Sequence, residues 1–421
     1  MIVAGQSLFA EAEAKTTAIP YGSYLAEIEQ FVDALHSSLW PINSYIHCNP
    51  ELSFQEHKAH NALTSFMELQ DGWHVTRSAY NMETAWAATY DSGRAGPVVA
   101  LNAEMDALPD MGHACGHNLI AMVSVAAGLA AADVLQRHRL PGSIRIIGTP
   151  AEESGGGKIK CLEAGAYNDA DVSMISHPGI INNSAMVCTT AFVHLDVTYR
   201  GRTAHAARSP WLGINALDAL VVAYNAISAL RQQTHPDDVI GLQITDGGNK
   251  PNVIHAQAAG TAVLRAATAT RLQELQNKVQ ACFRAGAEAT GAEVEITIRP
   301  GYKDHVPNRV LAASYRRYWV AMKNPPKPDL PQPEQVTWVK ASTDQGDVSY
   351  ALPSMNVSFA IPPGPAAGQP HSPDFEYASG TKDAFATAMR VAKAMAGTAV
   401  EVCSKPGMLQ EVQEQWRLDM I

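Results

Sequence analysis

The hydrophobic positions fall into runs and alternations that predict secondary structure directly. Residues about 21–38 and about 56–69 read as two helices. The run G-P-V-V-A-L-N-A, Gly96 to Ala103, follows a turn and reads as a buried strand. Asn118 to Arg137 is a long apolar helix, with Asn118 as its expected N-cap. Ser143 to Gly148, S-I-R-I-I-G, is another buried strand, and Met174 and Ile175 belong to a third. Apolar strands alternating with helices predict an α/β domain whose mostly parallel sheet is covered on both faces.

The period changes near residue 190. Val193, Leu195, Val197 and Tyr199 alternate with polar neighbours, as in a half-exposed strand. Ser209-Pro210 then opens a helix to about Arg231. Strands follow at about 239–245 and 259–267, then a helix at about 271–288 and an alternating strand through Val294, Ile296 and Ile298. The order β-α-β-β-α-β is that of a ferredoxin-like unit. It reads as a domain inserted into the first, with expected boundaries 1–189, 190–302 and 303–421. The Pro-rich segment 324–333 is a surface connection. The first domain then resumes with a strand-like N-V-S-F-A-I and ends in a helix at about 380–397.

Composition narrows the function classes. A chain of 421 residues, 46% hydrophobic and 17% charged, has room for two or three domains with full cores. A net charge of −10 argues against a nucleic-acid partner. Six scattered cysteines are too few for a disulfide scaffold, which implies a reducing compartment. The stretch Ala121–Ala132 is too short to span a bilayer, so no membrane partner is expected. The start M-I-V-A-G-Q lacks a signal-peptide pattern, so the expected location is cytoplasmic.

Four local signals carry possible chemistry. In M-G-H-A-C-G-H-N, Cys115 and His117 are two apart, and in an extended segment both would face one metal ion. The competing reading is a buried Cys beside a helix start. His113 is a further candidate ligand or a packed side chain. In T-P-A-E-E-S-G-G-G, Glu152 and Glu153 follow a strand, where ligands gather in open α/β sheets. Adjacent carboxylates repel unless a metal or proton intervenes, which suits one ligand and one general base. A solvated acidic loop is the alternative. His177 in S-H-P-G and His371 in Q-P-H-S-P-D-F follow or end apolar runs; each alone is more often an ordinary hydrogen-bonded loop His than a ligand. His205, in T-A-H-A-A, lies in the inserted domain, and nothing local ties it to a metal.

Together, M-G-H-A-C-G-H-N, G-T-P-A-E-E-S-G-G-G, S-H-P-G, T-A-H-A-A, P-N-V-I and H-S-P-D-F resemble, in order and spacing, the aminoacylase/carboxypeptidase superfamily of two-domain metallopeptidases. The C-G-H element resembles its amidohydrolase branch, which includes hippurate hydrolases and indole-acetyl-amino-acid hydrolases. Asn118 and S-T-D-Q-G-D-V-S look most like the Xaa-Arg dipeptidase-like subgroup. The resemblance implies that Cys115, His117, Glu153, His177 and His371 hold two Zn2+ ions, or Mn2+, with Glu152 as general base and Asp106 supporting the site. It implies that His205 is delivered to the substrate carbonyl from the partner subunit of a homodimer, by a lid and dimerisation domain that also places Asn252 near the substrate. His255 stands where a Pro usually follows N-V-I.

The expected activity is metal-dependent hydrolysis of an amide bond in an N-acyl amino acid or dipeptide; the subgroup implies a basic leaving residue. The alternative is a relative repurposed for amide formation or retained as a binding scaffold. The presence of Glu152 and every ligand-type residue argues against a dead scaffold.

Overall fold

The computed structural model describes residues 24–421. The segment M-I-V-A-G-Q and the first residues of the helix expected from about 21 lie outside the described residues. The chain forms two compact units. The first comprises the described residues to Cys188, His305–Trp338 and Asp347–Ile421; the second comprises Thr189–Asp304 and Val339–Gly346.

The first unit is built on a six-stranded mixed sheet. Its strands run in the order Trp73–Arg77, Trp86–Asp91, Ser143–Thr149, Val98–Glu104, Val172–Gly179 and Ser354–Ala360. The last four are mutually parallel, and the first two are antiparallel additions at one edge. Alternation sorts side chains between the faces. Val99, Leu101, Ile144 and Ile146 join a large core with the helices Leu25–Cys48, His117–His138, Arg309–Ala321 and Lys382–Ser404. Ala100 and Ile147 face a smaller core containing Cys161, Val348 and Leu352. At the cross-strand pair Trp86 and Gly148, a Cβ on the glycine would lie 1.8 Å from the indole Nε1, so only glycine fits.

Several local expectations need correction. The first helix continues through Pro41 to Cys48, because Leu39, Asn43 and Ile46 extend its buried stripe. The long apolar helix starts at His117, after Gly116 in the left-handed region at φ 74°. Asn118 is therefore not its cap: it is buried and donates to Asn43 Oδ1 and Ser379 O, both at 3.0 Å. This 22-residue helix is long and apolar enough to cross a membrane by length and composition, yet it packs inside the core. A further helix, Met408–Asp419, follows the one expected to end the chain.

The second unit has the element order β-α-β-β-α-β. Its antiparallel sheet runs Glu293–Tyr302, Ala191–Arg200, Gln257–Ala266, Val239–Asp246. Alternate residues Val193, Leu195, Val197 and Tyr199 point into a core made with helices Ala216–Leu230 and Ala269–Thr290. Ser209-Pro210 opens only a short 3-10 turn, Pro210–Leu212. The helix proper begins after Asn215, whose side chain accepts from Leu217 N at 3.1 Å.

Candidate metal centre

Parallel strands place their carboxyl ends together, and the first unit uses that edge. Glu104 ends one strand, Thr149 ends the next and leads into Glu152 and Glu153, and His177 lies near the end of a third. His371 follows the fourth, and its backbone N–H donates to Ala114 O at 2.8 Å, next to Cys115.

Cys115 and His117 are not in an extended segment. The left-handed turn at Gly116 separates them, and a Cβ there would meet Pro178 Cγ at 2.5 Å. The turn lets the helix begin at His117 while Cys115 stays on the preceding loop. Three sets of donor atoms lie within 4.8 Å of one another: Cys115, Glu153 and His371; His117, Glu152 and Glu153; Glu104, Glu152 and His177. His371 Nε2 is 3.5 Å from Glu153 Oε1, and His117 Nε2 is 3.8 Å from the same oxygen. His113 belongs to none of these sets; it is buried beside the His47 ring, and that burial pushes its pKa down to about 3.

Asp106 organises the cluster. Its Oδ1 accepts from Glu152 N at 3.2 Å and lies 3.1 Å from His117 Nδ1. Its Oδ2 accepts from Glu153 N and Ser53 Oγ, both at 3.0 Å. Burial would raise its pKa, but the hydrogen bond from His117 and that from Glu153 N–H hold it below the ordinary value. A second buried carboxylate, Glu56, accepts from Ala151 N at 2.9 Å and fixes that residue in the left-handed region, φ 58°. Such strain persists only where the surroundings over-determine it, typically at functional sites.

The imidazole tautomers follow from their partners. A carboxylate faces His117 Nδ1, and Asn356 Oδ1 faces His177 Nδ1 at 2.9 Å, so in each ring Nδ1 keeps its proton and Nε2 is the nitrogen that can turn a lone pair to a metal. Both Nε2 atoms, with Glu153 Oε1 and Glu104 Oε2, are buried without a hydrogen-bond partner. Four converging ligand-type nitrogen and oxygen atoms suit a cation, so the donor set fits a metal. Burial, then the Glu153 charge, raises the Cys115 thiol pKa above its ordinary value. A bound metal must overcome that to hold the thiolate.

Sequence reasoning missed Glu104, Lys158, Glu56 and Asn356. Glu104 had a usable signal, since it stands two residues before Asp106 at a strand end. The other three had none, because only the fold buries them against the site. His205 and Asn252 lie in the second unit, on neighbouring segments: both are exposed, and Ala206 N donates to Asn252 O at 3.1 Å. Ala207 N and Arg208 N both reach His205 Nδ1 at 3.3 Å.

A half-buried thiol, imidazoles and carboxylates at the carboxyl edge of an α/β sheet define a metallohydrolase-type site. Residues 100–398 match Peptidase family M20/M25/M40, and the chain belongs to that family. It is 37% identical to the Xaa-Arg dipeptidase of Mus musculus, covering 92% of this chain and 90% of that protein. It is 28% identical to a p-aminobenzoyl-glutamate hydrolase polypeptide of Escherichia coli, covering 93% and 95%. A solved dinuclear metal-binding peptidase of the M20 family from Bacillus subtilis shares the fold, with TM-score 0.66, 20% identity, and 88% and 99% covered. A putative aminohydrolase structure from Staphylococcus aureus matches with TM-score 0.75, 18% identity, and 90% and 100% covered.

Proposed function

We propose that this protein hydrolyses the amide bond of a dipeptide or N-acyl amino acid at a dinuclear metal centre, with Glu152 as general base. The carrying observation is the convergence of Cys115, Glu153, His371, His117 and His177, with Glu152 in the same cluster and the His117 and His177 Nε2 atoms and Glu153 Oε1 buried without a hydrogen-bond partner. In this reading Cys115, Glu153 and His371 hold one ion and His117 and His177 the other. The thiolate favours zinc. Bound metal supplies Lewis acidity towards the scissile carbonyl and acidifies water.

The chain's own residues then have separate tasks. Glu152 takes the proton of the attacking water and hands it to the leaving amine. Asp106 keeps His117 in its Nδ1–H tautomer and holds the backbone of both glutamates. His205 donates from Nε2–H to the developing oxyanion, because its Nδ1 already accepts from backbone N–H groups. Asn252, on the neighbouring segment, contacts the substrate.

The second unit is, in this reading, a ferredoxin-like lid and dimerisation domain that brings His205 to the partner subunit's site. Its strand order supports the first part. Exposed Val221, Val222 and Tyr224 on its helix, and Val239 and Ile244 on its edge strand, supply apolar surface for the second. The named activity of the Xaa-Arg dipeptidase relative favours a leaving residue with a basic side chain. Six free cysteines fit a cytoplasmic location.

The test is hydrolysis of dipeptides ending in Arg or Lys, and of hippurate, by zinc- or manganese-loaded protein and its Glu152→Ala variant. Turnover by the wild type and loss of more than about a thousandfold in the variant, with metal content unchanged, supports the reading. No turnover by the metal-loaded wild type, or a variant within about tenfold of it, overturns it.

A further inference from the structure

Glu104, in one of the donor sets above but not among the five ligands assigned to the two ions, pairs with Lys158, and both side chains are fully buried. Lys158 Nζ donates to Glu104 Oε1 at 2.5 Å. The other carboxylate oxygen, Oε2, is 3.3 Å from His117 Nε2 and 3.3 Å from His177 Nε2. Those are the two nitrogens assigned above to the second ion. None of the three atoms meets another in hydrogen-bond geometry. Asp106 and Asn356 face the two Nδ1 atoms, which leaves Nε2 of each ring as its metal-binding atom beside Glu104 Oε2. Two ligands sharing a tetrahedral zinc stand about 3.4 Å apart, given metal–ligand distances of about 2.1 Å. The observed separations match that spacing.

We propose that Glu104 is an anionic ligand of the second metal ion, presented by Lys158. This rests on the dinuclear reading and deepens it. Lys158 has two effects. It locks one oxygen, so that the carboxylate presents the other. It also balances a negative charge that would otherwise be buried with a thiolate and Glu153. The site then tolerates a carboxylate close to its imidazole ligands without gathering surplus negative charge, which would over-stabilise the metal and dull its Lewis acidity. The proposal also accounts for the burial of a lysine directly after G-G-G, at the start of a seven-residue helix.

The experiment measures metal binding, not turnover. Chelator-stripped protein is titrated with Co2+ and followed by visible absorption. Zinc retained against a competing chelator is then read by elemental analysis. Two variants are compared with wild type. Glu104→Asp keeps the charge pair but withdraws the oxygen by one methylene. The double variant Glu104→Gln/Lys158→Met removes both charges, avoiding the unpaired buried charge that either single change leaves. The expected result is an unchanged first ion, a second ion weakened at least about tenfold in both variants, and an altered cobalt spectrum for that ion. Should the double variant not fold, Glu104→Asp alone carries the reading. Two ions bound within about threefold of wild-type affinity, with an unchanged spectrum, overturn the proposal. A wild type that binds a single ion or none instead refutes the dinuclear reading itself.

Discussion

Asp106→Asn isolates the residue that joins the imidazole ligand to the glutamate loop. The carboxylate accepts four hydrogen bonds, from Glu152 N, Glu153 N, Ser53 Oγ and His117 Nδ1. An amide can replace only one oxygen without meeting the imidazole N–H. Its NH2 group therefore takes the Oδ2 place, where the Ser53 hydroxyl can turn to accept. The Glu153 N–H then faces another donor, and a buried unpaired donor costs about 1–3 kcal/mol. The remaining bonds, to Glu152 N and His117, lose their charge, at about 1 kcal/mol each. Relief from burying a carboxylate offsets part of this, leaving a net loss of about 2–4 kcal/mol in unfolding free energy. Loosening of His117 and Glu153 lowers metal affinity about 10–100-fold, the usual effect of losing a ligand's supporting partner. Urea unfolding of chelator-treated protein reads the first quantity, and competition against a chromogenic chelator the second. An unchanged urea midpoint together with metal affinity within about twofold of wild type would refute the assigned role.

Three further outcomes are expected. Cys115→Ser lowers metal stoichiometry by elemental analysis, because a serine hydroxyl does not ionise at neutral pH as the thiol does on binding; retention of the full complement would place the ligands elsewhere. Gly148→Ala destabilises the first unit by about 3 kcal/mol or more, since its Cβ enters the space of the buried Trp86 indole, and a urea midpoint equal to wild type contradicts that. A His205→Ala subunit and a Glu152→Ala subunit, each inactive, regain part of the activity when refolded together, because one site of the hybrid is intact; verified heterodimers without recovery contradict a His205 acting across the dimer.

The parts of the fold that could be read in the sequence are those where the local pattern and the tertiary environment agree. Val98–Glu104 and Ser143–Thr149 are central and parallel, so their apolar runs announce them. Trp73–Arg77 and Trp86–Asp91 were not expected: the first is short and half-exposed at the sheet edge, and neither has a clean period. The first helix was expected to end near residue 38, but packing of Leu39 and Ile46 carries it past Pro41 to Cys48. In the site, spacing singled out Cys115 and His117 for the wrong geometric reason, since Gly116 turns the chain between them. Glu56, Lys158 and Asn356 carry no local mark. A glutamate at a helix start, a lysine after glycines and an asparagine in a strand gain meaning only from what the fold brings against them.

The short segment Val339–Gly346 belongs to the second unit although it lies far along the chain from the rest of it. Ala341 O accepts from Thr190 N at 2.9 Å, and Ser342 Oγ donates to Thr190 O at 2.5 Å. The same hydroxyl oxygen accepts from Arg265 Nη1 at 2.7 Å, while that guanidinium lies over the Phe192 ring. The insertion is therefore not a portable cassette. Moving Thr189–Asp304 into a relative would strip Thr190 of both backbone partners and leave Arg265 without its acceptor. A graft that moves the second unit of this chain into another protein has to carry the return segment Val339–Gly346 as well, so its recombination is constrained at two separated places in the gene.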